Sequence, residues 1–96
     1  MGDGAQTICE SLGQDYPQLS DAMNERERIG MERYGAPLDP QSDRRNFYHE
    51  AEEELLDACV YIRALRERGQ VVLPSVETHI LAAIDALRLS RALEGA

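Results

Sequence analysis

Apolar residues recur at helical spacing along two long stretches of the chain and, more thinly, along a third before them. In the longest, Ala51, Leu55, Ala58, Cys59, Ile62 and Leu65 follow the helical period, with Leu56 and Val60 to one side. That spacing predicts a helix from Ser42 or Asp43 to Arg68, with Gly69 as its stop. Val76, Ile80, Ala83, Ile84 and Leu87 predict another from Ser75 to about Leu93, while Leu81, Leu89 and Leu93 lie elsewhere on its wheel. A shorter helix is expected from Ser20 to Tyr34, capped by Ser20 or Asp21, stopped by Gly35 and kept short by Pro37 and Pro40. Its apolar side is thin: Ala22, Met23 and Ile29, with Arg26 and Arg33 beside Ile29. Residues 1–19 carry little pattern, and TICESL within them promises at most a short helical turn.

These elements predict an all-α fold: a weakly ordered segment 1–19, then a single helical domain over 20–96. The two long helices are expected to form an antiparallel hairpin with the first helix across it. Three helices with one thin face make an incomplete bundle. Apolar surface wider than one neighbour can cover therefore predicts completion of the bundle by oligomerisation, at least to a dimer.

Charge narrows the partners. A net charge of −8, with 18 acids against 10 bases, argues against binding to DNA or RNA backbones. No apolar run approaches the ~20 residues of a membrane span, and the opening MGDGAQTICE lacks the basic-then-apolar order of a secretory leader. The cysteines, Cys9 and Cys59, have no metal-type spacing. Reduced cytoplasm is the expected compartment. The basic residues are all arginine, the side chain best shaped to grip phosphate and to stack on rings.

Candidate chemistry gathers around the second predicted helix. In HEAEEELLDACVY, residues 49–61, Glu50, Glu53, Glu54 and Asp57 fall within an arc of about 100° beside the apolar stripe. Carboxylates at these spacings can converge on a hard divalent cation such as Mg²⁺; equally, acids early in a helix are favoured by its dipole and by water. Arg28, Arg33 and Tyr34 end the first predicted helix, and Arg44, Arg45, Phe47 and Tyr48 open the second. Guanidinium forks and aromatic faces are what a nucleotide phosphate and base require. There is no Gly-rich phosphate loop, and neither cysteine has a partner suited to nucleophilic catalysis.

RERIGMERYGAPLDP followed by EAEEELLDACVYIRAL resembles the short MazG-like proteins of tailed phages, part of the all-α nucleotide pyrophosphohydrolase group. The likeness covers roughly residues 25–66. It rests on Arg33, Tyr34, Gly35, Pro37 and Leu38, then on Glu53, Glu54, Asp57, Val60 and Tyr61. The resemblance implies an oligomeric bundle, a nucleoside-phosphate ligand and Mg²⁺ held by carboxylates of two helices. Glu54 and Asp57 match the second set of ligands, with Glu53 beside them. The first set, E-E-x-x-E, is not matched: the preceding helix offers only Glu25 and Glu32 on one side. Glu50 or another chain is left to complete the cage. The expectation is a protein that holds a nucleotide without turnover, as phage-encoded sponges sequester a host signalling nucleotide. The alternatives are a Mg²⁺-dependent nucleotide pyrophosphohydrolase and a non-catalytic dimerising helical protein.

Overall fold

The computed structural model describes residues 6–95, which form helices joined by turns and loops with no strand among them. The helices are α1 (Ile8–Asp15), α2 (Ser20–Tyr34), α3 (Phe47–Glu67) and α4 (Pro74–Glu94), with a 3-10 turn, Pro17–Leu19, leading into α2. Contacts divide the chain after Arg44 into two compact units. Among the described residues, no helix is long and apolar enough to cross a membrane.

In the first unit α1 packs against α2. α1, expected as no more than a short turn, runs over Ile8–Asp15 and is started by a cap. The Thr7 hydroxyl accepts from the Glu10 N–H at 3.1 Å, and the Glu10 carboxylate accepts from the Thr7 N–H at 2.9 Å. Reciprocal bonds of this kind satisfy donors that a helix start leaves open. They also hold the Glu10 carboxyl below the ordinary carboxylate range. α2 occupies the span expected for it but continues directly from the 3-10 turn, without a side-chain cap from Ser20 or Asp21. It ends at Gly35, whose φ of 77° suits glycine.

α3 begins later than the pattern suggests. Asp39 organises the residues before it: its carboxylate accepts from the Gln41 N–H at 3.0 Å, and its carbonyl accepts from Asp43 at 3.0 Å. The cap is Asn46, whose side-chain oxygen accepts from the His49 N–H at 3.3 Å. At the far end, Gly69 adopts a φ of 78°. Its N–H donates to Arg66 and that of Gln70 to Leu65, a glycine-turned helix end that satisfies two carbonyls.

α3 and α4 pack against each other, and half-buried positions of α3 step by four and three residues. Tyr48, Glu52, Leu55, Cys59, Ile62 and Arg66 supply the α3 side, and Val76, Glu77, Ile80, Ile84 and Leu87 the α4 side. Charges tie both ends. Near the start of α3, Glu52 accepts from Arg88, late in α4, at 2.9 Å. Near its end, Arg66 and Arg63 reach Glu77, in the first turn of α4, at 2.7 and 3.0 Å. Arg66 also donates to the Leu73 carbonyl at 3.1 Å, bracing the connection between the helices.

Ile84, 4% exposed, is the one buried hydrophobic residue among those described. Ile84→Ala is therefore expected to destabilise the 45–96 unit by about 2–4 kcal/mol, whereas Val71→Ala, at a position 95% exposed, leaves the melting temperature unchanged. Thermal melts of the two variants followed by circular dichroism check this.

The Arg88 guanidinium holds the Glu52 carboxyl below its ordinary value of 4.5. A depressed folded value means that the pair's stabilisation is complete above the unfolded value and is lost as pH falls through the folded one. Wild type should therefore lose more stability than Glu52→Gln as pH drops from about 6 to below 4.5, read from denaturant midpoints at each pH.

Candidate functional site

The site residues expected from sequence fall on both units. In the first, Arg28 is engaged on its own helix. Its Nε and Nη2 donate to Glu25 at 2.9 and 2.6 Å, and its Nη1 donates to Glu32 at 2.7 Å. These bonds lower the Glu25 carboxyl and raise the Arg28 guanidinium. Arg33 lies over the Tyr34 ring, 6.0 Å from its centroid, and Tyr34 is 74% exposed. A cation over an exposed aromatic face leaves the other face open to a planar ring. Arg44, the last residue of this unit, is exposed.

The second unit opens with the denser chemistry. Arg45 lies over the Phe47 ring at 5.8 Å, and its Nη1 stands 3.8 Å from the Glu50 Oε1. Tyr48 is half-buried, on the seam with α4 rather than on the open side. One turn on, His49 Nε2 and Glu53 Oε1 are 3.2 Å apart. With Glu50 they bring one donor atom each to within 4.8 Å of one another. Among the described residues this is the group able to hold a metal ion, and Glu54 and Asp57 stand outside it.

The donor set decides which ion suits it. Mg²⁺ takes oxygen ligands in a near-ideal octahedron, so Glu50 and Glu53 would hold it with water in the remaining positions. Recruiting the His49 nitrogen favours a softer first-row ion such as Zn²⁺ over Mg²⁺. The residues thus fit a divalent cation at an open position, with Arg45 close enough to share an anionic ligand.

Sequence reasoning missed two features. Glu52 faces α4 and Arg88 rather than the acidic flank; its place on the wheel, in line with Leu55 and Cys59, was the signal. The other is a groove of about 490 Å³ beside the seam, lined by Cys59, Val60, Ala64 and Leu81 and edged by Arg63 and Glu77. It is apolar, open, and on the second unit alone.

Comparison of the chain with family models, with curated proteins and with solved structures returns no match.

If the cluster holds a cation, Glu53→Gln should weaken Mn²⁺ binding about tenfold or more, while Asp57→Asn leaves it unchanged. Electron paramagnetic resonance of free Mn²⁺ during titration measures both, and equal losses would return the site to the Glu54–Asp57 flank.

Proposed function

We propose that this chain is a self-associating helical protein that binds a small nucleotide and holds it without turnover. The observation that carries the reading is the opening of α3. There an arginine on an aromatic ring, Arg45 on Phe47, stands within 3.8 Å of Glu50 and one turn from the His49–Glu53 pair. Guanidinium for phosphate, ring for base and carboxylates for a bridging cation are the parts a nucleoside phosphate needs. The Arg33–Tyr34 stack offers a second element of the same kind. The likeness of residues 25–66 to short phage MazG-like proteins points to the same ligand class. A phage-encoded sponge acting in the host cytoplasm on a signalling nucleotide is the role that this likeness suggests.

Binding is favoured over hydrolysis by the ligand arrangement. Phosphoanhydride cleavage requires a metal to neutralise developing charge and a positioned water. Here the donor atoms that gather as a group of three are those of His49, Glu50 and Glu53, and Glu54 and Asp57 of the hydrolase motif lie outside that group. Arg28, closed between Glu25 and Glu32, is assigned to the helix surface rather than to the ligand.

A different observation favours a second reading, that of a non-catalytic interaction protein. Leu56, Val60, Tyr61, Leu81, Leu89 and Leu93 are all exposed on α3 and α4. In either reading α3 and α4 form an antiparallel hairpin, supported by the Glu52–Arg88 and Arg66–Glu77 pairs at its two ends, and further chains complete the bundle.

A thermal-shift screen against NTPs, dNTPs and cyclic signalling nucleotides, with and without Mg²⁺ or Mn²⁺, tests the proposal. The expected outcome is stabilisation of a few degrees by one class, with ligand recovered intact by chromatography and the shift lost in Arg45→Ala. Monophosphate and pyrophosphate formed only with metal would replace sequestration by hydrolysis. No shift across the panel would leave the interaction protein as the standing account.

A further inference from the structure

α3 carries a second seam beside the one that meets α4. His49, Glu53, Leu56, Val60, Arg63 and Glu67 follow the same alternation of four and three residues as the packed positions. At 100° per residue they occupy an arc of about 80°, centred about 100° around the helix from the α4-facing seam. That offset is where a helix in a four-helix bundle meets its next neighbour. All six are exposed; Leu56 and Val60, at 43% and 65%, are the large apolar residues of this strip.

The order of residues along the strip is self-complementary when read in reverse. About position 58, Leu56 mirrors Val60, Glu53 mirrors Arg63, and His49 mirrors Glu67. A two-fold axis there would set each apolar residue against an apolar one and each acid against a base. A closed dimer requires that self-match, because the same patch must serve both subunits. A parallel pairing in register would place Glu53 on Glu53 and Arg63 on Arg63. The groove lined by Val60, Ala64 and Leu81 opens on this same side, and offers the hole into which a facing leucine could insert.

We propose that two copies of this chain associate by packing α3 antiparallel against α3 about position 58, with Leu56 seated in the partner's groove against Val60 and Glu53 paired to Arg63. This rests on the self-association reading above and specifies its surface. It also places the His49–Glu53 pair beside the partner's Arg63, so the opening of α3 gains a guanidinium from the second chain.

Charge reversal tests the register. Sedimentation equilibrium of the full chain over a range of concentrations should report a dimer. Glu53→Arg and Arg63→Glu should each raise its dissociation constant about tenfold or more. The double variant, and an equimolar mixture of the two single variants, should restore it. Val60→Glu should weaken the dimer independently of the charges. Circular dichroism keeps folding in view for Arg63→Glu, in which Arg66 still holds Glu77. A wild-type monomer at every concentration would overturn both this pairing and self-association. A dimer indifferent to all the substitutions would overturn the α3 pairing alone.

Discussion

Two helices packed on each other do not by themselves enclose a core. Each presents one stripe to its neighbour, and everything off that stripe stays in water. In the 45–96 unit this leaves Ile84 alone buried among the described residues, with the rest of the seam half-covered. The charged residues follow from this limit. Glu52, Arg66 and Glu77 take seam positions that a deeper core would give to leucine: their stems cover the neighbouring helix while Glu52 pairs with Arg88 and Arg66 with Glu77. Specific pairing, start to end and end to start, then fixes the register that apolar contact alone would leave loose.

The same constraint shapes the site. The first turns of α3 are free of seam contacts on their outer side, so Arg45, Glu50 and Glu53 can gather there without being buried. Their geometry is set locally: Asn46 caps the helix, and the helical repeat brings His49 to Glu53. A site of this kind needs little from the rest of the fold except a rigid helix to stand on. An open cluster of this kind would discriminate weakly among ligands on its own.

The helices were legible in the residues where periodicity or glycine marks them. α2 occupies its expected span, and Gly35 and Gly69 end their helices in the left-handed conformation. α4 differs from expectation by a residue at each end. Where a local side-chain bond decides, the pattern was silent: the Thr7–Glu10 box starts α1, and Asn46 rather than Ser42 or Asp43 starts α3. At the site, the acidic flank was visible but its internal partition was not. Wheel angles group Glu50, Glu53, Glu54 and Asp57 together, whereas donor atoms sort by rotamer and by nearby cations. His49 joined the cluster through a contact one turn away, a spacing too common to stand out in sequence.

The Arg66 brace has a consequence for how the chain comes together. By holding both Glu77 and the Leu73 carbonyl, it closes a connection of only a few residues between α3 and α4. Closing so short a loop costs little chain entropy, and the contacts that follow are near in sequence. Short-range contacts of this kind favour zipping of the unit from its turn outward, a step independent of protein concentration. Any step that brings a second chain to it must be bimolecular and slower. If a second chain does cover it, newly made chains pass first through a folded, uncovered state whose lifetime shortens as protein concentration rises.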